Sequence, residues 1–551
     1  DILLILDNLE QIADAAPALS ELLLACPRLT MLVTSRAPLR ISGERLFAVP
    51  PLALPQSEHL GKMLPGSLEA LAAVEAVALF VDRAQAALDF ALTAENAATI
   101  AAICERTDGV PLAIELAAAR ASVLSLPDLR DRLAHQLTIL RDGPRDQPPR
   151  LRSMADAIAW SYNLLAPAER ALLRRLSVFV GGVSLDAAEW VSGVGCRVTG
   201  RNPSAVVPDT QHPSPVTLDL LTALVDQSLL QRAAGPGGAT RFAMLETVRE
   251  FGLARLAETR DEASVRDAHA DWCIALAAQA DPALSGPEQA VWFDRLDAEH
   301  PNMRAALAWL LEREDAVRGL RLATALSWFW SSRGYLREAL AWLEKFLAVP
   351  VAIPADERAM GLREAANIAQ WQGEYDRAAG FAMESLTLFR QLGDRQRTGH
   401  AWRGLGSIAI DQGRMDEAAA FLTRSWETLE PIATPWDAAF ATYLWGRHAS
   451  AGERYAEAAE RFSEAAATFA QVGDRAYVAA SLGRLGAASL RLGELPRARA
   501  AYAESLRIAR EMHEPIWIAW ALLGATHLAA GDGRPETGAS CHEKCSTPRC
   551  G

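Results

Sequence analysis

At 551 residues, half of them hydrophobic and 22% charged, the chain has the balance of a folded protein and is too long for a single core. Its formal net charge of −13 argues against a general affinity for nucleic acid, which needs a concentrated basic face. Seven cysteines, with Cys26, Cys104, Cys196 and Cys273 in ordinary contexts, point to a reducing cytoplasm, and no apolar run approaches a membrane span.

The chain opens on "DILLILDNLEQ". Ile2–Leu6 is a continuous apolar run, the pattern of a strand covered on both faces, and it ends in Asp7 and Asn8. An apolar-periodic segment over Ala13–Ala25 predicts a helix. "TMLVTSR" gives a second run, Met31–Val33, which closes on Thr34, Ser35 and Arg36. A third run, Leu46–Val49, precedes "PPLALP". Strand, helix, strand at this spacing predicts a βαβ unit of a parallel sheet. With no lead-in before the first strand, the domain is expected to begin upstream of Asp1.

From Leu68 to Leu140 the pattern is that of alanine- and leucine-rich helices, broken by "DGVP". Asp142–Arg150 is a hinge by composition. Residues 151–260 predict a compact mixed domain with helices over Met154–Leu165 and Ala168–Phe179. "GPGG" at 235–238 is its wing or hairpin tip, between strands Leu229–Gln231 and Arg241–Met244. Ser192–Ser214 has the composition of a disordered insertion.

After residue 265 the chain is helical and repetitive. Tyr335, Tyr375, Met415, Tyr455 and Leu495 follow one another at intervals of 40 residues, and Gly406, Gly446 and Gly486 keep the same interval. A period this strict means stacked helical hairpins, each burying a face against the next. The apolar residue after a turn glycine, with alanines where helices touch, is the tetratricopeptide (TPR) pattern. The period exceeds the usual length of about 34, which leaves another helical hairpin repeat open. Trp328, Trp330, Trp342, Trp371, Trp402, Trp426, Trp436 and Trp445 lie in or beside the hairpins, mostly as expected core. Those on a concave side would suit an apolar or peptide-like ligand. The tail's Cys541, His542, Cys545 and Cys550 are expected to be a disordered end rather than a zinc site, because there is no room for paired ligand turns around a core.

In open parallel sheets, ligands bind beyond the carboxyl ends of the strands, where Asp7 and Arg36 both fall. An acid there can hold Mg²⁺ against nucleotide phosphates, and a neighbouring arginine can neutralise the terminal phosphate. Taken singly, Asp7 is better explained as a helix N-cap and Arg36 as a solvated loop residue; their pairing at this spacing is what favours the nucleotide reading.

"LLILDNLEQ", "TMLVTSRAPLRISGERLFAVPPLAL", "GVPLAIELAAAR", "AIAWSYNLLAPAERALLRRLSVFVGG", "LVDQSLL", "RFAMLETVREFG" and "EHPNMRAALAWLLE" occur here in the order found in STAND-type signalling ATPases. The chain resembles NB-ARC-related bacterial regulators of the LuxR-type and antibiotic-regulatory kind from residue 1 to about 530. The resemblance implies a multidomain, mainly α fold. It places part of an α/β P-loop NTPase domain over 1–55, a helical subdomain over 56–141 and a winged-helix-like domain over 151–262. A helical linker follows over 266–330, then an α-solenoid of TPR-like hairpins over 331–535 and an aberrant tail over 536–551.

It further implies that Asp7 is the Walker B acid for Mg²⁺, and that Asn8 stands where relatives carry a second acid, leaving Glu10 as a candidate to activate water. Arg36 is implied as the sensor of the γ-phosphate, and Gly109 and Pro111 as the "GxP" turn near the adenine. Pro111 equally suits the first turn of a helix. Leu245, in "MLE", replaces the histidine that contacts ADP phosphate in relatives. The phosphate-cradling loop Gly-x-x-x-x-Gly-Lys-Ser/Thr does not occur in this sequence, so the parent protein is expected to be the ATPase and this chain to bind ATP or ADP weakly or not at all.

The function expected on this basis is a fragment of a cytoplasmic signal-transduction or transcription-regulatory switch. Nucleotide state would be coupled to a protein or small-molecule ligand on the repeats, with self-association open. The alternative is a non-catalytic TPR-like scaffold with a vestigial NTPase remnant. Arg170, Arg174 and Arg175 share one predicted helix as potential phosphate contacts, but a solvated face is the expectation, with no direct nucleic-acid or membrane binding. No His-Glu-x-x-His or Gly-x-Ser-x-Gly occurs to suggest hydrolase chemistry.

Overall fold

The computed structural model describes residues 2–7, 9, 16–35, 38–55, 67–87, 90–133, 140, 153–192, 215–284, 288–512 and 515–529. The chain divides into two compact units, Asp1–Thr199 with Pro208–His269, and Gly200–Val207 with Ala270–Gly551. The described residues are mostly helical, with little sheet. The predicted insertion over Ser192–Ser214, beyond Ser192 itself, and the cysteine-bearing tail lie outside the described residues.

In the first unit, β1 (Ile2–Leu6) and β2 (Leu29–Val33) pair in parallel with Leu4 opposite Met31, and α1 (Ala16–Ala25) lies in the crossover. The sequence pattern calls for cover on both faces, yet Ile2, Leu3 and Ile5 are 68%, 59% and 62% exposed. The third apolar run is not a strand. Leu46, Phe47 and Val49 lie in irregular, exposed backbone before Pro50 and Pro51, and among the described residues no strand pairs with them. An apolar run becomes a strand only where a neighbour satisfies its N–H and C=O groups.

Five helices follow: α2 (Ser67–Ala72), α3 (Glu75–Ala87), α4 (Ala97–Arg106), α5 (Pro111–Arg120) and α6 (Leu126–Leu133). Their core is Phe80, Ile100, Ile103, Cys104 and Ile114, all with no exposed surface. Ala113, Ala117 and Ala118 keep α5 slim enough for α3 to pack against it. Each large side chain buried there contributes about 1.5–3 kcal/mol, and Ile103→Ala would remove about 2–5 kcal/mol.

Next come α7 (Met154–Leu164) and α8 (Pro167–Leu176), both near their predicted bounds. Ser153 caps α7 by accepting from the Asp156 N–H at 3.0 Å, and Glu169 accepts from the Ala166 N–H ahead of α8 at 2.7 Å. Beyond them lie β3 (Val183–Ser184), α9 (Leu185–Ser192), α10 (Pro215–Asp226), β4 (Gln231–Ala234), β5 (Thr240–Ala243) and α11 (Glu246–Ala257). The sheet order is β3-β5-β4, antiparallel throughout. The turn falls on "GPGG" as expected, with Gly237 and Gly238 at φ 62° and 82°. β4 starts later than predicted, because Leu229 and Leu230 are buried in the turn after α10.

The second unit begins at Ala270, inside α12 (Glu262–Ala283), and continues through α13 (Gln289–Glu312), α14 (Ala316–Ala325), α15 (Ser327–Arg333) and α16 (Leu336–Leu347). Four hairpins follow, each an inner and an outer helix. They are α17 (Ala355–Trp371) with α18 (Tyr375–Gln391), α19 (Arg395–Asp411) with α20 (Met415–Leu429), α21 (Pro435–Ala451) with α22 (Tyr455–Val472), and α23 (Arg475–Arg491) with α24 (Leu495–Glu511), followed by α25 (Pro515–Ala529).

The 40-residue register now has a physical meaning. Tyr375, Met415, Tyr455 and Leu495 each start an outer helix. Gly406, Gly446 and Gly486 sit where inner and outer helices touch, so that an added Cβ would come within 2.7–2.9 Å of Leu422, Phe462 and Tyr502. Ser385, Ser425 and Ser505 staple three of the hairpins by donating to the carbonyls of Ala359, Gly399 and Ala479 at 2.8–2.9 Å. The result is a TPR-like solenoid.

Candidate functional site

In the first unit, the residues predicted to meet nucleotide fall at two places. Asp7 stands at the carboxyl end of β1, as expected, and the Thr34 hydroxyl at the end of β2 donates to its carboxylate. The Thr34 N–H bonds the Leu6 carbonyl at 2.9 Å and the Leu9 N–H bonds the Thr34 carbonyl at 3.0 Å, which stitches the two strand ends together. Asn8, Glu10 and Arg36 lie outside the described residues. Gly109 lies between α4 and α5 at φ +65°, and its carbonyl accepts from the Leu52 N–H at 2.9 Å. An added Cβ there would sit 2.4 Å from the Leu52 carbonyl oxygen. Pro111 is the first residue of α5, where its missing N–H costs nothing.

One neighbour was not singled out by the sequence. The Asp108 carboxylate accepts from the Thr247 N–H at 3.2 Å and from its hydroxyl at 3.4 Å, at the start of α11. Burial pushes the Asp108 carboxyl up, and these hydrogen bonds pull it part of the way back. The "DGVP" turn is thereby tied to the "MLE" segment, whose Leu245 is the N-cap of α11. The arginines weighed as phosphate contacts are occupied within the fold. Arg174 donates to the Tyr162 hydroxyl at 2.6 Å, Arg170 to the Asn163 carbonyl at 2.5 Å and Arg175 to the Ser192 carbonyl.

In the second unit the inner helices line a cavity of about 830 Å³. Its aromatic wall comes from Trp328, Trp371, Tyr375, Trp436, Phe440, Tyr443 and Tyr477. The tryptophans thus sort as sequence alone cannot: Trp330 is fully buried and Trp402 stacks on Phe421, while three others face the cavity.

The polar wall is a set of ion pairs held deep in the protein. Arg403 bonds Asp437 at 3.1 Å, and the His400 ring donates to the same oxygen at 3.0 Å. Burial raises the Asp437 carboxyl, but His400, Thr434 and Arg403 outweigh it and hold the group below the usual carboxylate range. Burial lowers His400, leaving it neutral at pH 7. Arg447 pairs with Asp411 and donates to the Ser407 hydroxyl at 2.8 Å, while Gln370 donates to both Ser407 and Asp411 at 2.7 Å. Asp281 is pushed up to about 6 by the surrounding protein and by Glu364, against Arg363.

The signal for this wall is present in the sequence but subtle. Met360, His400 and Phe440 form one line at 40-residue spacing; Arg363, Arg403 and Tyr443 form a second; Asn367, Ser407 and Arg447 form a third. All are inner-helix positions on one face, and the arginines among them were not picked out.

Residues 357–430 match the tetratricopeptide repeat family. The chain is 34% identical over 456 residues to a protein of Mycobacterium tuberculosis named as an HTH-type transcriptional regulator, covering 81% of this chain and 47% of that protein. It is 35% identical over 266 residues to an uncharacterized protein of the same organism, covering 48% of this chain and 59% of that one. The chain therefore spans about half the length of the curated relatives it matches. Among solved structures, a STAND protein with a tetratricopeptide repeat sensor from Pyrococcus horikoshii aligns with 99% of this chain and 80% of its own, at 14% identity and a TM-score of 0.28. A Rap protein in complex with competence and sporulation factor aligns with 55% of this chain and 81% of its own, at 14% identity and a TM-score of 0.40. At such scores neither likeness carries a functional argument. No helix among the described residues is long and apolar enough to cross a membrane.

Proposed function

We propose that this chain is the sensing and coupling part of a transcription-regulatory switch. Its helical repeats take up a ligand or partner, and its first unit reports that state to ATP or ADP held with Mg²⁺. The observation that carries this reading is the polarity of the cavity wall. Buried ion pairs such as Arg403–Asp437 seldom add stability over an apolar core. A concave wall that keeps them beside seven aromatic side chains has the make-up of a recognition surface. The tetratricopeptide match and the regulator named among the relatives support the same role.

For the nucleotide half, Asp7 would position Mg²⁺ at the end of β1, with Asn8 beside it. Arg36 would read the terminal phosphate, and Gly109 and Pro111 would shape the wall near the base. The exposed apolar pair β1–β2 supports a sheet that has further neighbours, since parallel strands are ordinarily covered on both faces. The domain boundaries read from the sequence, 1–55, 56–141, 151–262, 266–330 and 331–535, belong to this proposal.

Calorimetry with ATP and ADP tests it, on this chain and on one extended upstream through the expected phosphate loop. Binding by the extended protein, lost in Asp7→Ala and Arg36→Ala, supports the switch. A folded extended protein that binds neither nucleotide sinks it.

A further inference from the structure

The cavity is bridged along one side. Trp328 on α15 stacks on Tyr477 on α23, with ring centroids 5.6 Å apart and planes inclined by 13°, so α15, ahead of the four hairpins, touches the inner helix of the fourth. α15 also packs against α25. A solenoid open along its rims admits a polypeptide running through it; here the stack bars that course along one side. The cavity's volume of about 830 Å³ falls within the range that takes a small molecule, roughly 300–1,000 Å³.

The charges on the wall also have a direction. Five arginines and three carboxylates face the cavity. The partner of Arg403 is not among them: Asp437 is 3% exposed and stands behind the wall. The Arg403 guanidinium lies 5.2 Å from the Trp436 ring centre and 4.5 Å from that of Phe440, already set against flat apolar faces. Arg484, on α23 close to the stack, donates to the Tyr443 hydroxyl at 2.8 Å. Cationic groups therefore line the interior among aromatic faces, and part of the counter-charge is held outside it.

We propose that the cavity is a chamber for a small planar aromatic acid, seated against the Trp328–Tyr477 stack. The ring of the ligand lies between the aromatic walls, and its negative group sits among Arg403, Arg447 and Arg484. This rests on the reading of the repeats as the ligand-taking part of the protein, and it replaces an open class of ligand with a stated chemistry.

The test is fluorescence titration of the whole chain with 1-anilinonaphthalene-8-sulfonate, an aromatic anion, and with N-phenyl-1-naphthylamine, its uncharged counterpart. The expected result is a single saturable site for the anion, at least tenfold tighter than for the neutral probe. Arg484→Gln should weaken the anion about tenfold through loss of a charge-assisted contact and leave the neutral probe unchanged. Trp328→Ala should weaken both probes by removing one aromatic face. Equal affinity for the two probes, or anion binding untouched by Arg484→Gln, overturns the proposal; the probe comparison on the unaltered chain holds even if a variant fails to fold. Chamber and switch also fail separately. Anion binding as described, with no nucleotide bound by the extended protein, overturns the switch and keeps the chamber; the reverse result overturns the chamber alone.

Discussion

The carboxylate of Asp108 accepts a hydrogen bond from the Thr247 N–H at 3.2 Å across 139 residues of chain, so a turn in the helical region caps a helix beyond the three-stranded sheet. Asp108 does this from a left-handed backbone conformation, φ 54°, one residue before Gly109. Asparagine tolerates that conformation, keeps an acceptor and removes the buried charge. Asp108→Asn should therefore match or exceed the original stability, whereas Asp108→Ala should cost about 1 kcal/mol through loss of the cap. Hydrogen exchange of the amides at the start of α11 reads both. Faster exchange in the asparagine variant than in the alanine variant would contradict the account.

Acidification should pull the second unit in two directions. Asp411 is held low in the folded state: burial raises it, but Arg447 and Gln370 outweigh burial. Asp437 is held low in the same way. Their stabilisation is present above the unfolded carboxylate value of about 3.9 and is lost as pH falls through their folded values. Asp281 works the opposite way. Raised to about 6, it takes up a proton on folding, so its ionisation costs stability as pH rises from about 4 through 6. Asp281 should therefore favour folding slightly more at pH 5.5 than at 7, while His300 and His400, held low by burial, lose stability over the same range, and the total should fall steeply below 4. Asp281→Asn should remove the first contribution alone. Urea midpoints across this range decide it.

The pair Arg447–Asp411 is expected to cost more when broken than when replaced. Asp411→Asn leaves the deeply set Arg447 guanidinium without its counter-charge and should lose about 3–5 kcal/mol. The double change Arg447→Met with Asp411→Leu should be near neutral in denaturant unfolding. If it is also as costly as the single change, the pair is structural rather than retained for recognition.

Two glycines should behave oppositely. An alanine Cβ at position 446 would lie 2.8 Å from the Phe462 ring, while one at position 380 meets nothing within 4 Å. Gly446→Ala should destabilise by about 1–3 kcal/mol through overpacking. Gly380→Ala, within α18, should stabilise by roughly 0.5–1 kcal/mol. Thermal melts of the two variants in parallel check the sign of each.

What the sequence revealed follows the range of the interactions involved. The hairpins were legible because each buries the same face against its neighbour, and so Gly406, Gly446 and Gly486 recur at one spacing. The turn at 235–238 was legible because glycine chemistry is local. Leu46–Val49 misled because an apolar run does not state whether a partner strand will reach it. The aromatic and arginine-lined cavity escaped notice because it exists only once inner helices far apart in sequence converge. No window of sequence contains both Trp328 and Tyr477.

That stack has a consequence for how the array comes apart. Linear repeat arrays behave like short zippers: each unit is held only by its neighbours, so the ends fray first and unfolding spreads inward. A contact from α15 to the inner helix of the fourth hairpin turns the zipper into a ring, in which releasing either end also breaks a distant bond. The repeats should therefore melt as one cooperative block, with terminal hairpins protected as well as central ones. Parting the two rings would restore the loose ends of an ordinary array. A ligand that separates Trp328 from Tyr477 would thus change the rigidity of every hairpin at once, including those it never touches.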